Sequence, residues 1–167
     1  MPPGPRRSAA VRRGSSRRRK LVWATANGSF AALAAGATGG NDLLGNLRTA
    51  GSSILGATVI RTHLRLSLLW GAGASDFWHV GLIVCRDVDI AAGIDPNTNP
   101  GDNWLLSVQE FPRSSGATID AQTQMTYDIR AKRRVEELEE RYGLFVANHT
   151  AAAHNVLFYA RTLVALA

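Results

Sequence analysis

Residues 58–70 alternate between two chemically different faces, and this alternation constrains the fold more than any other stretch of the chain. One face carries Ile60, Thr62, Leu64, Leu66, Leu68 and Trp70. The other face carries Arg61, His63, Arg65 and Ser67. A period of two is that of a β-strand with one buried and one solvated side. The segment is therefore predicted to be a long, half-buried strand.

Several further segments have the composition of strands. They are residues 20–24, 77–86, 104–111, 125–135, 144–148 and 155–166. In 125–135, Met125, Tyr127, Ile129 and Ala131 alternate with Thr126, Asp128, Arg130 and Lys132. The last two segments are apolar on both faces, which is expected of strands buried in a sandwich or covered by a neighbouring subunit. The glycine-rich residues 71–76 predict a hairpin between 58–70 and 77–86.

Two segments have helical features instead. Residues 135–143 are predicted to form a short helix, because Val135, Leu138 and Tyr142 share one helical face and Gly143 would end it. Residues 41–51 are a weaker candidate, since they contain two internal glycines. Neither changes the class. Seven or eight short strands separated by Gly and Pro turns predict an all-β, antiparallel β-sandwich or barrel.

The first 20 residues, called the arm below, differ sharply from the rest in charge. The arm has no acidic residue and eight basic ones, which are Arg6, Arg7, Arg12, Arg13, Arg17, Arg18, Arg19 and Lys20. The chain has 19 Lys and Arg against 13 Asp and Glu, so eleven basic and thirteen acidic residues remain outside the arm, a net charge of about −2. The arm is predicted to be disordered when free, because it has too few apolar groups to offset chain entropy.

Such a flexible basic segment suits sequence-independent contacts with phosphates. If all eight cations contact a single strand, the slope of log K against log salt is roughly −5 to −6, from about −0.7 per neutralised phosphate. An organelle transit peptide or a nuclear-localisation patch has a similar composition. A secretory signal fits less well, because Asn27, Gly28 and Ser29 interrupt the apolar run after the arm.

Residues 21–167 have the length of one domain, and the 46% hydrophobic share of the chain is sufficient for a packed core. The single cysteine, Cys85, excludes an intrachain disulfide and is expected to be a buried structural thiol. No stretch reaches the roughly eighteen uninterrupted apolar residues of a membrane span.

No motif for catalysis, for a cofactor or for a structural metal is present. His149 and His154 do not match zinc-ligand spacing, and His63 and His79 interrupt strands, where a hydrogen-bonded structural or interface histidine is expected. The irregular loop 95–103 presents oxygen donors but fails as an EF-hand, since Pro100 occupies the position of the turn glycine. We therefore expect no enzyme activity, cofactor or metal.

A basic N-terminal arm followed by a compact body of about eight antiparallel strands resembles the coat proteins of small icosahedral viruses. The resemblance is one of layout over the whole chain. It implies a single jelly roll, subunits that tile a closed shell in the virion, no membrane partner, and an arm that points inward to single-stranded RNA or DNA. Only the eight basic arm residues carry over as nucleic-acid-binding residues.

Two other classes remain open. A ribonucleoprotein subunit would also join a basic tail to a small β body, but with basic residues spread over the body. A cellular β-sandwich binding module behind a cleaved targeting peptide would lose the arm on maturation. Because the excess positive charge lies in residues 6–20, the sequence predicts that deleting them abolishes nucleic-acid binding and leaves the fold intact.

Overall fold

A computed structural model describes residues 19–51, 53–70, 76–86, 90, 104–112, 122–130 and 132–167. The loop 95–103 and all of the arm before Arg19 lie outside these residues. The elements are β1 (Lys20–Leu33), β2 (Thr38–Asp42), α1 (Gly45–Thr49), β3 (Thr58–Leu69), β4 (Phe77–Arg86), β5 (Trp104–Pro112), β6 (Gln122–Ile129), β7 (Arg133–Arg134), β8 (Glu140–His149) and β9 (His154–Leu166).

The strands form two antiparallel sheets. Sheet A has the order β1-β9-β3-β6, with β7 also paired to β3, and sheet B has the order β2-β8-β4-β5. The strands pair from the outside of the chain inward, β1 with β9, β2 with β8, β3 with β6 and β4 with β5. Successive pairs alternate between the sheets, as when a long antiparallel ribbon is rolled up. This is the winding of a single jelly roll, and it confirms the predicted all-β antiparallel sandwich.

The inner faces of both sheets form one core. In β3 the side chains of Leu64, Leu66 and Leu68 are almost completely buried, as the period-two pattern predicts. The exception is Ile60. The register of β3 against β9 shifts between Val59 and Arg61, and Val59 takes the buried position while Ile60 is half-buried. An irregularity of this kind moves one residue out of the alternation.

The outer face of sheet B is partly covered by the chain itself. Ile83, Cys85, Phe145 and Ala147 form a second buried cluster, and Ile90 packs against it. The prediction that residues 144–148 are buried on both faces is confirmed, and Cys85 is buried as expected. The outer face of sheet A, by contrast, is largely exposed.

The predicted hairpin between residues 58–70 and 77–86 is wrong. β3 lies in sheet A and β4 in sheet B, where β4 pairs with β5 and β8. The chain crosses from one sheet to the other, so the apolar faces of both strands point into the shared core. The indole N–H of Trp78 donates to the backbone oxygen of Leu69 at 3.0 Å and fixes this crossing.

The predicted helix over residues 135–143 is also wrong, because β8 begins at Glu140. The carboxylate of Glu140 accepts a hydrogen bond from the backbone N–H of Glu136 at 2.8 Å and two from Arg133 at 2.9 and 3.0 Å. These contacts hold residues 135–139 as a turn. The helical candidate at 41–51 is confirmed in reduced form as α1.

Two further details differ from the sequence pattern. The segment 125–135 is divided between β6 and the separate two-residue strand β7. Strand β2 was not predicted, because its sequence TGGND has no apolar alternation. Its glycines allow close packing: a Cβ atom on Gly39 would lie 2.7 Å from the ring of Phe30, and one on Gly40 would lie 2.7 Å from the backbone oxygen of Ile90.

Candidate nucleic-acid interface

Of the eight predicted arm residues, the structure describes Arg19 and Lys20, and it says nothing of the other six. The guanidinium of Arg19 donates to the hydroxyl oxygen of Thr58 at 3.3 Å. Lys20 is the first residue of β1 and is paired with Leu166. β1 is an edge strand of sheet A. The arm therefore joins the body at one end of this edge.

The exposed side of sheet A, called the sheet A face below, brings outward-facing residues of four strands together. The registers place Trp23, Leu163 and Arg61 in one row across the sheet, then Thr25, Arg161, His63 and Asp128, then Asn27, Tyr159, Arg65 and Thr126, then Ser29, Leu157, Ser67 and Gln124. Two segments far apart in sequence, 61–67 and 124–130, thus contribute to one surface.

Basic side chains outnumber acidic ones on this face. Among the described residues of the face they are Arg61, Arg65, Arg130, Lys132 and Arg161, against one acid, Asp128. Asp128 accepts a hydrogen bond from Nε of Arg61 at 2.8 Å and a second from its terminal nitrogen. This hydrogen bonding lowers the pKa of Asp128 below its usual range, and the charge of His63 would act in the same direction.

The other four cations are not hydrogen-bonded to this carboxylate, although the charge of Arg130 also lowers the pKa of Asp128. Within the part of the chain that the structure describes, Arg65, Arg130, Lys132 and Arg161 form no ion pair with a carboxylate. The face consequently has a net formal charge of about +4, although residues 21–167 as a whole are close to neutral. The glutamates beyond Val135 do not reach these four residues; Glu140 pairs with Arg133 instead.

Aromatic rings lie among these cations. Trp23 is 42% exposed and Tyr159 is 43% exposed. The ring of His63 stacks on Trp23 with centroids 6.0 Å apart and an interplanar angle of 29°. The guanidinium of Arg161 lies 4.8 Å from the centroid of the same indole. Such a cation–π contact holds the indole in place while leaving the positive charge at the surface.

Open grooves run over the same residues. One of about 630 Å³ is lined by His63, Arg65, Thr126, Tyr159 and Arg161. A neighbouring groove of about 460 Å³ shares Arg65, Thr126 and Tyr159 with it. A third of about 530 Å³ is lined by Ile60, Arg61, Arg130, Lys132 and Leu163. Each of these three grooves on the sheet A face is thus lined by at least one basic side chain.

Residues 155–166 are not buried on both faces within one subunit, which corrects the expectation of a strand buried inside the sandwich. The inner side of β9 is buried, but Leu157 is 52% exposed and shares the outer side with Asn155, Tyr159 and Arg161. The strand is half-buried, and its outer side belongs to the sheet A face.

The histidines of sheet B form a separate group. The Nε2 atom of His79 is 3.3 Å from a carboxylate oxygen of Glu110, and His149 stacks on Phe77 with centroids 4.4 Å apart. Among the described residues, no group of three His, Cys, Asp or Glu side chains is placed to hold a metal ion. Nor does any helix in that part of the chain have the length and apolar character needed to cross a bilayer.

No protein-family profile matches the chain, and no curated protein sequence is significantly similar to it. Among solved structures, the chain is similar to one in the structure of infectious bursal disease virus, Gx strain, with a TM-score of 0.34 and 11% sequence identity. The match covers 89% of this chain and 32% of that one, so this chain spans about a third of the other's length. The jelly-roll assignment therefore depends on the strand pairing alone.

Proposed function

We propose that this chain is a viral capsid protein, which self-assembles into a closed icosahedral shell and neutralises packaged single-stranded RNA or DNA with its arm. One observation carries the proposal: the edge strand of a jelly-roll body continues directly from a segment with eight basic residues and no acidic one. The protein would then be located in the virion. Its partners are further copies of itself and a nucleic acid bound without sequence preference.

The end of the sandwich near the arm has features suited to contacts between subunits. Leu138 is 67% exposed and Leu55 is 42% exposed, each on a turn. Backbone hydrogen bonds hold the two turns together, from Gly56 N–H to Val135 O at 2.8 Å and from Val135 N–H to Ala57 O at 2.9 Å. Large apolar side chains presented by ordered backbone suit burial against a second subunit.

The distribution of charge also favours separate roles for arm and body. Twenty extended residues span at most about 65–70 Å, so the N-terminal part of an arm attached at β1 would reach far from the shell contacts. At physiological salt, charges further apart than about 8 Å are largely screened. Subunits could therefore pack through their bodies without repulsion between arms.

A ribonucleoprotein-type function is a second candidate, and the sheet A face favours it. The net acidic charge of the body argues against this class, yet five of the eleven Lys and Arg residues outside the arm lie on the sheet A face. The two candidate functions differ in the assembly that they predict. A capsid protein forms closed shells, whereas a ribonucleoprotein subunit forms dispersed complexes with nucleic acid.

Electron microscopy of the purified full-length chain tests the proposal, together with the absorbance ratio at 260 and 280 nm. We expect closed shells that contain nucleic acid. Leu138→Asp should prevent assembly, whereas Glu139→Ala, in the same turn, should not. Monomers in light scattering at high concentration with nucleic acid present would refute self-assembly. The mass of the native N-terminus tests the alternative of a cleaved targeting peptide.

A further inference from the structure

We propose that the sheet A face is a second binding site for single-stranded nucleic acid, distinct from the arm. The inference deepens the proposed function and rests on it for the identity of the polymer, because it assigns a further part of the chain to the same packaged strand. It also changes the expectation from sequence, which confined binding to residues 6–20.

Charge supplies the first argument. Arg65 and Arg161 come from β3 and β9, Arg130 and Lys132 come from the connection between β6 and β7, and all four lie at grooves on one face. Guanidinium and ammonium groups without a carboxylate partner are suited to phosphate oxygens. Arg61 lines one of these grooves and is paired with Asp128, so it is not counted among the free cations.

Exposed rings supply the second argument, and they favour a single strand over a duplex. Trp23 and Tyr159 present ring surface on the same face as the cations. Proteins that bind single strands without sequence preference combine a positively charged groove with aromatic side chains on which unpaired bases stack. Paired bases inside a duplex do not offer their faces to such rings.

The same charge argues against a second copy of this chain as the occupant. In a two-fold contact, identical patches face each other. Two sheet A faces would bring four unpaired cations on each side together, and like charges held against one another oppose association. A polyanion meets no such repulsion.

The expected salt dependence follows from the number of free cations. Four neutralised phosphates on a single strand give a slope of log K against log salt of about −3, at about −0.7 each. Loss of one contact should weaken binding about fivefold at 0.1 M salt and make the slope shallower by about 0.7. Asp128→Asn should act in the opposite direction, because it releases Arg61 for a further phosphate.

The test uses the full-length chain with its eight basic arm residues changed to Ser, titrated with poly(U) and poly(dT) by fluorescence anisotropy over a range of salt. In this background we expect a slope of about −3. Arg65→Gln should reduce affinity about fivefold. Gln109→Glu is the matched control: it removes the same one unit of net charge, but at an exposed position of β5 in sheet B, and should change affinity less than twofold.

Tryptophan fluorescence measures the stacking of bases on Trp23 separately from the binding affinity. Trp23 is exposed, whereas the indoles of Trp70 and Trp78 are buried, so bound bases on this face should quench the fluorescence of Trp23. Trp23→Phe should remove that quenching. Trp23→Ala should weaken binding about tenfold, which is the middle of the range for one stacked base. A duplex of the same length should bind more weakly than poly(dT) and quench less.

The outcomes separate this inference from the proposed function. A slope near zero with the arm neutralised, or equal effects of Arg65→Gln and Gln109→Glu, would overturn the inference while shells from the native chain still support the proposed function. A slope of about −3 without any shells would support the face and refute the capsid. If Trp23→Asp abolishes self-association of the native chain, a second copy covers the face and the inference fails.

Discussion

A buried hydroxyl network joins the two sheets, and its geometry makes one of its three members much more sensitive to substitution than the others. The hydroxyl oxygen of Thr62 in β3 lies 3.1 Å from that of Tyr142 in β8 and 3.1 Å from that of Thr162 in β9. Thr62 and Thr162 are completely buried, and Tyr142 is 2% exposed. Thr62 is therefore the only one of the three that bonds to both of the others.

This arrangement sets the expected energies. Tyr142→Phe removes one hydrogen bond, but Thr62 keeps Thr162 as a partner, so the free energy of unfolding should fall by about 0.5–1.5 kcal/mol. Thr62→Val removes both bonds and leaves the buried hydroxyls of Tyr142 and Thr162 without this partner, which costs about 1–3 kcal/mol for each group. We expect a total loss of about 2–6 kcal/mol for Thr62→Val.

Urea denaturation followed by tryptophan fluorescence measures these values, in the arm-neutralised chain at low concentration so that assembly does not contribute. The double variant Thr62→Val/Tyr142→Phe completes a thermodynamic cycle. Its destabilisation should be smaller than the sum of the two single effects by about 1 kcal/mol, because Tyr142→Phe removes the hydroxyl that Thr62→Val by itself leaves unsatisfied. Equal losses for the two single variants would show that water or a rearranged side chain satisfies Tyr142, and would refute the reasoning.

Three further predictions use the same measurement. Burial raises the pKa of Tyr142 above its usual range, so the folded state keeps a proton that the unfolded chain loses above about pH 10. The free energy of unfolding should therefore fall above that pH by up to ~1.4 kcal/mol per pH unit. If the free energy of unfolding of Tyr142→Phe falls equally steeply with pH, this prediction is wrong. Arg133→Met should cost about 3–5 kcal/mol, because it leaves the carboxylate of Glu140, 6% exposed, without its cation; a loss below ~1 kcal/mol would mean that the pair behaves as a surface one. Gly81→Ala should cost at least about 1–3 kcal/mol, because the new Cβ would lie 2.2 Å from the backbone oxygen of Ser107 in the paired strand; an unchanged unfolding midpoint would show that β5 moves away freely.

The sequence predicts the strands well because one face of most of them is buried. Period-two alternation located β3 and β6, and their inner residues Leu64, Leu66, Met125 and Tyr127 pack against or within the core as expected. Local pattern does not encode which strands pair, since that depends on contacts far apart in sequence. The false hairpin shows this limit: a glycine-rich connection between two strands fits a crossing between sheets as well as a tight turn.

The other errors have local causes that single-residue patterns do not contain. The helical pattern of 135–143 is overridden by the carboxylate of Glu140, which binds Arg133 and the N–H of Glu136. β2 is held by its pairing with β8 and by glycines that allow close approach, and not by apolar alternation. In each case a tertiary contact decides the backbone conformation against the local propensity.

The sequence predicts the polar strand faces that form the candidate site, but not that they lie side by side. Arg61, His63 and Arg65 were assigned to the polar side of one strand, and Asp128 and Arg130 to the polar side of another. What was missing is that β3 and β6 are neighbours in sheet A. A net charge summed over residues 21–167 averages this surface with acidic segments elsewhere, and so conceals it.

The position of the arm relative to the sheet A face gives the two sites a joint effect. The C-terminal end of the arm leads into β1, and Arg19 contacts Thr58 at the start of β3. This end of the arm is therefore attached to sheet A, which carries the sheet A face. A nucleic-acid strand bound by the arm is thereby kept near the sheet A face. Its second contact becomes intramolecular, with an effective concentration in the millimolar range for a short link. A face that binds weakly by itself would then be occupied in the full chain. The affinity of the intact protein should for this reason exceed that of an equimolar mixture of arm peptide and arm-neutralised chain, whereas the summed salt slopes of the two should equal that of the intact protein.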